Sequence, residues 1–211
     1  MNDLCFLAPY DSIPYCSLTC GRNPIRMKTR LSVILIVAAF SAIAQGNTSF
    51  GNFKLVDQEI IYQKIFLHDS VTIAKLAEYY KTLPYLANVG QSGEEITFDF
   101  NDLIVDYKKF QFTQVGTPSI IQTGKYSGKA TVGVKDGKYR LTLSSLQLTG
   151  DIGYKKINAK ENLTSFAAKN NGTILAQDWC RPNMLGLLDQ CFTDKLQFVE
   201  EKKKKKDSSD W

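Results

Sequence analysis

Asp136-Gly137 stands between two runs in which apolar and polar residues alternate, Ala130 to Val134 and Tyr139 to Leu143. A two-residue type I′ turn needs positive φ at both central positions. Asp-Gly supplies that, and the turn then fixes the register of the strands it joins. Val134 falls opposite Tyr139, Val132 opposite Leu141 and Ala130 opposite Leu143. These six share one face, while Thr131 opposite Thr142 and Gly133 beside Arg140 share the other. A sheet with one apolar and one polar face is antiparallel and covered on one side only. The chain is therefore built around at least one such hairpin.

The flanking sequence extends this pattern. Glu59 to Leu67 (EIIYQKIFL) is rich in β-branched and aromatic residues and reads as a strand. Asp69 or Ser70 is placed to cap a following helix, whose stripe is Ile73, Leu76, Ala77, Tyr80 and Leu83 and whose stop is Pro84. Tyr85 to Val89 is a short strand or loop, followed by a turn at Gln91-Ser92-Gly93. From Glu95 to Tyr107 the apolar positions change phase at Asn101-Asp102, between Phe100 and Leu103. A period of two survives such a shift only with an extra residue, so a bulge or tight turn is expected there. Gly116-Thr117-Pro118 marks a loop, Ile152 to Ile157 a further strand, and the Asn-rich stretch from Ala159 to Asp178 a connection with room for a short helix. Pro182 sits at a favoured first helical position, ahead of Leu185, Leu188, Phe192, Leu196 and Val199 at helical spacing. Hairpins in place of repeated βαβ crossovers define an α+β class. The expected fold is an antiparallel β-sheet with an N-terminal strand-helix unit and a long C-terminal helix packed on one face.

A second pattern concerns location. Met27-Lys28-Thr29-Arg30, the apolar run Leu31 to Phe40, and Ser41-Ala42-Ile43-Ala44 before Gln45 form the three parts of a secretory signal peptide. The run is short of the roughly 20 residues of a spanning helix, so cleavage between Ala44 and Gln45 is expected and no transmembrane segment in the mature chain. Residues 1–26 read as an upstream extension outside the fold, 27–44 as signal peptide, 45–52 as linker, 53–200 as one α+β domain and 201–211 as a charged, disordered tail. The expected location is periplasm or cell surface. Without residues 1–44 the chain loses Arg22, Arg26, Lys28 and Arg30 against Asp3 and Asp11, and is less basic than its formal +5. Much of the excess then sits in Lys202 to Lys206, a solvated run flanked by acids, so no nucleic-acid partner is expected.

An exported chain with a YQKIF strand, an immediate helix, the pair GKATVGVKDGKYRLTLSSLQ and a Lys-rich end closing on Asp210-Trp211 resembles domain-of-unknown-function family 4468. The resemblance covers roughly Phe53 to Ile157 and, more loosely, the C-terminal helix and tail. It implies a TBP-like α+β fold and a Bacteroidetes-type envelope setting. It implies no activity, and a TBP-like fold does not import DNA binding.

Reactive residue types are sparse. His68 is the single histidine, and any Ser-His-Asp or Cys-His site would have to include it. Its place between strand and helix suits a turn better. Asp99, Asp102 and Asp106 gather near Asn101 but match no calcium loop, and two cysteines with one histidine match no zinc motif. Cys180 and Cys191 are too far apart along a helix for a bridge and read as separate buried thiols. Asn47, Asn162 and Asn171 begin Asn-x-Ser/Thr triplets that carry no meaning in a bacterial export. Catalytic, cofactor and metal sites are thus expected to be absent. The expected role is a non-catalytic binding module for a small ligand or an envelope protein, with Phe98, Phe100, Tyr107 and Tyr139 as its aromatic surface. A structural part of an envelope complex is the alternative, and a hydrolase built on His68 and nearby acids the third.

Overall fold

The computed structural model describes residues 46–153 and 155–200. The extension 1–26, the signal peptide with its Ala44–Gln45 junction and the tail 201–211 lie outside the described residues. One sheet of eight strands organises the rest: β1 (Ser49–Phe50), β2 (Phe53–Val56), β3 (Glu59–Leu67), β4 (Leu86–Ser92), β5 (Glu95–Ile104), β6 (Lys125–Lys135), β7 (Lys138–Asp151) and β8 (Lys156–Asn162). The order is β1-β2-β3-β7-β6-β5-β4, with β8 also on β7. Every pairing in this sheet is antiparallel.

The Asp136-Gly137 hairpin has the register its sequence dictates. Val134 faces Tyr139, Val132 faces Leu141 and Ala130 faces Leu143, with φ of 49° at Asp136 and 70° at Gly137. β7, 14 residues long, is the spine of the sheet. β6 runs along one side of it, while β3 takes Lys138–Leu143 and β8 takes Gln147–Asp151 on the other. The phase change in β5 is a bulge: Phe100 pairs with Gly128 and Leu103 with Tyr126, leaving Asp102 at φ 55°. Ser145 (φ 50°) bulges β7 on the opposite side of β6 at the same level.

Two longer helices close one face. α1 (Ile73–Thr82) buries Leu76, Ala77 and Tyr80, and the Tyr80 ring lies 4.6 Å from Phe98. Further along the chain come α2 (Ser119–Thr123), α3 (Thr164–Ala167), the small hairpin β9 (Ala168–Lys169) and β10 (Ile174–Leu175), and α4 (Leu185–Leu196). Phe192 of α4 inserts among Phe53, Tyr62 and Phe100, at 6.2, 5.4 and 5.8 Å between ring centroids. The core is thus an aromatic layer between β3, β5 and the two helices, an α+β architecture as expected.

Several boundaries differ from the sequence reading. Thr72, not Asp69 or Ser70, caps α1, its hydroxyl accepting from the Lys75 amide. His68 to Val71 forms its own turn first. The segment read as a linker carries β1, and Asn47 and Thr48 accept from Leu175 and Leu55 amides, so it belongs to the sheet. β8 begins at Lys156 instead of Ile152 and runs into the Asn-rich stretch. α4 starts at Leu185 after a turn that contains Pro182, and Val199 lies beyond it, exposed.

Candidate binding face of the sheet

The aromatic surface expected at Phe98, Phe100, Tyr107 and Tyr139 is not a surface. Phe98, Phe100 and Tyr139 are 2%, 0% and 2% exposed, and Tyr107 is half-buried against the core. Phe98, Phe100 and Tyr139 have the strand parity that faces α1 and α4, and Tyr107 lies in the turn after β5, so the helices occupy the space a partner would need. Tyr139 also accepts a hydrogen bond from the Phe198 amide.

The polar candidates serve local structure. His68 Nδ1 lies 3.4 Å from Ser70 Oγ, and its ring is edge-on to Phe198 at 5.1 Å. Asp99 accepts from Asn88 Nδ2 at 2.7 Å, and Asp106 from the Lys109 amide. The Asp102 amide donates to Ser127 Oγ, which stabilises the β5 bulge. Among the described residues no group of three or more His, Cys, Asp or Glu side chains gathers as a metal centre would require.

One polar cluster lies on the helix-covered side. Asp189 of α4 accepts from Tyr62 OH (2.9 Å), Asn52 Nδ2 (2.9 Å) and Lys64 Nζ (3.2 Å). Thr193 one turn on bonds Lys64 Nζ at 2.7 Å. Burial drives the Tyr62 hydroxyl well above its ordinary range, which keeps it a neutral donor. The cluster fastens α4 to β3 and to the turn before β2.

The opposite face of the sheet is where chemistry stays open. Because side chains alternate, the residues flanking each core position point outward. They form rows across the strands: Ile65, Arg140, Gly133 and Glu95; then Gln63, Thr142, Thr131 and Thr97; then Ser144, Lys129 and Asp99. Beyond the last row, Lys160 of β8 reaches Asn101 of β5 at 3.0 Å. β7 and β6 lie between those strands, so the sheet curls around this face near the paired bulges at Asp102 and Ser145.

The curl leaves three adjoining depressions. A polar one of about 220 Å³ lies among Asp99, Asn101, Ser127, Gln147 and Lys160. A second of about 310 Å³ lies over Thr97, Thr131, Lys129 and Ser144. The third, also about 310 Å³, is lined by Ile65, Glu94, Glu95, Gly133, Lys138 and Arg140 near the hairpin turns. A Cβ built on Gly133 would meet nothing within 4 Å, so the missing side chain itself makes the hollow. Sequence reading placed Gly133 beside Arg140 correctly. It missed Glu95 and Ile65, because their rows depend on pairings with strands distant in sequence.

No family model matches the chain, and no curated protein matches it. Two solved structures are similar. One is a DUF4468 family protein from Bacteroides ovatus, at 15% identity and a TM-score of 0.41, with 72% of this chain and 94% of that chain covered. The other is a TBP-like protein from Parabacteroides distasonis, at 14% identity and a TM-score of 0.40, with 69% and 97% covered. These structural neighbours bear the family and fold names that the sequence resembles.

Proposed function

We propose that this protein is an exported, non-catalytic binding module that holds its ligand in the trough on the helix-free face of the sheet. The observation that carries the reading is the succession of three depressions along a face that α1 and α4 leave open. Their walls hold hydroxyls, amides and charges of both signs together with apolar surface at the hairpin end, which suits an elongated ligand with polar and apolar parts. Among the described residues the side-chain bond of His68 is to Ser70, in the turn before α1, which fits a local structural role. The signal-peptide pattern ending at Ala44 supports export.

The test is native mass spectrometry of the protein recovered from a bacterial host that exports it. The expected species begins at Gln45 and carries an extra bound mass, which is lost on substituting Thr131→Trp to block the trough. A chain that keeps residues 1–44 overturns export, and a bound mass indifferent to the Trp overturns the trough.

A second reading, an assembly component, is favoured by β4. This edge strand, Leu86 to Ser92, contains no charged residue and no proline, two of the usual guards against strand addition. The other edges are guarded: β1 has only two residues, and β8 carries Lys156, Lys160 and Glu161. A Gln91→Lys and Ser92→Lys double variant that dissolves a complex captured in vivo would favour this role.

A further inference from the structure

The charges around the Gly133 hollow are sorted by sign. Glu94 and Glu95 stand on one side, at the β4–β5 turn. Lys138 and Arg140 stand on the other, on β7, while Lys135 ends β6, the strand between the two walls. None of the five forms an ion pair with another described residue, so their charges stay open to a ligand. Opposite charges facing each other across a strand normally pair when their side chains meet. Here Glu95 and Arg140 sit on either side of Gly133, two interstrand spacings or about 10 Å apart at the backbone. Beyond Arg140 the row ends on Ile65, which is 59% exposed, with Leu67 at 84% farther along the same face.

From this arrangement the geometry points to a short zwitterionic peptide as the occupant, its ammonium on Glu94 and Glu95 and its carboxylate on Arg140 and Lys138. The proposal rests on the trough reading above and names the ligand class for its hairpin end. Charge complementarity sets the orientation. Arg140 offers a planar fork that matches a carboxylate, and two glutamates offer acceptors to an ammonium. An extended residue spans about 3.5 Å, so a dipeptide separates its ends by about 7 Å, a length that bridges the gap over Gly133. The apolar patch at Ile65 and Leu67 lies on the carboxylate side, so the last side chain of the peptide is aliphatic. A ligand with one charge only would leave one wall unanswered.

The experiment is a calorimetric titration of the full mature chain with glycyl-leucine and with N-acetyl-glycyl-leucine amide, which lacks both charges. Glycyl-leucine is expected to bind and the blocked compound to fail. Arg140→Gln and Glu95→Gln are each expected to weaken binding by about tenfold, the loss of one charge-assisted contact. Gly133→Val, which fills the hollow without touching a charge, is expected to abolish it, with the circular dichroism spectrum unchanged. Equal binding of the blocked compound overturns the proposal, as does indifference to both charge variants. If glycyl-leucine fails while the native protein carries a mass that Thr131→Trp removes, the zwitterion falls and the trough reading stands. If neither binds, both fall.

Discussion

At the scale of single residues, Asp189 holds the largest share of directional bonding. It gathers Asn52 from the turn before β2 and Tyr62 and Lys64 from β3 onto one carboxylate, and its own side chain is only partly exposed. Asp189→Ala removes these three contacts and a fourth from Thr193 Oγ1 at 3.3 Å, and leaves the Tyr62 hydroxyl with Thr193 alone. A buried group left short of partners costs about 1–3 kcal/mol, so urea unfolding of this variant is expected to show a loss of about 2 kcal/mol. Asp189→Asn keeps one carbonyl acceptor and is expected to lose less. Equal losses for the two would show that α4 packing, not the hydrogen bonds, fixes that junction. The thiols give a second residue-scale prediction. Burial pushes Cys191 up to about 12, and its Sγ lies 3.7 Å from the Ile104 carbonyl. Cys180 is half-buried. Because the thiolate is the reactive form, a thiol reagent is expected to label Cys180 in the folded protein and to reach Cys191 only on unfolding. Labelling of both at equal rates would contradict the buried placement of Cys191.

At the scale of elements, the C-terminus of α4 is closed by tyrosines. The last carbonyls of a helix have no partner within it. Tyr85 OH donates to the Lys195 carbonyl, Tyr80 OH to Leu196 and Tyr79 OH to Gln197. α1 and the start of β4 therefore act as the cap of a helix more than 100 residues away in sequence. Tyr80→Phe leaves the buried Leu196 carbonyl without its donor and is expected to cost about 1–2 kcal/mol. Amide exchange should then quicken in the last turn of α4 before it does in β6 or β7. Exchange that rises uniformly across the domain would place the cap's role elsewhere. The same element shows why the sequence was legible in some places and not in others. The 136–137 hairpin, the β5 bulge and the α1 stripe were readable because each is specified by neighbours within a few residues. The start of α4 was misplaced because Pro182 also suits the turn it occupies, and the fate of Phe98 and Phe100 hung on helices packing from afar. The trough was illegible for the same reason: Gly133 becomes a hollow only when Glu95 on one side and Arg140 on the other are brought level by two separate pairings.

At the scale of the whole molecule, the core and its margin enclose several ionisable hydroxyls. Burial raises Tyr85 and Tyr139 to about 12, and Tyr62, Tyr80 and Tyr126 further still, all from an ordinary value of 10.0. Each of these groups is neutral in the fold, and each hydroxyl is in a hydrogen bond. The unfolded chain releases its tyrosine protons as pH passes about 10, whereas the folded chain holds them. Between those two points the native state binds more protons, so stability falls as pH rises. It is fully present below the unfolded value and lost through the window up to about 12, where Tyr85, Tyr139 and Cys191 follow. A fully buried group such as Tyr126 removes about 1.4 kcal/mol per pH unit over that window, and the half-buried Tyr85 less. The urea midpoint is therefore expected to be flat from about pH 7 to 9 and to drop steeply above 10. The share of phenolate absorbance that belongs to the buried tyrosines should rise in one cooperative step together with loss of the circular dichroism signal, since these hydroxyls ionise only as the sheet and α4 separate. A gradual rise of that buried share while the fold persists would mean that water reaches the aromatic layer, and the helix-covered face would then be as open as the trough.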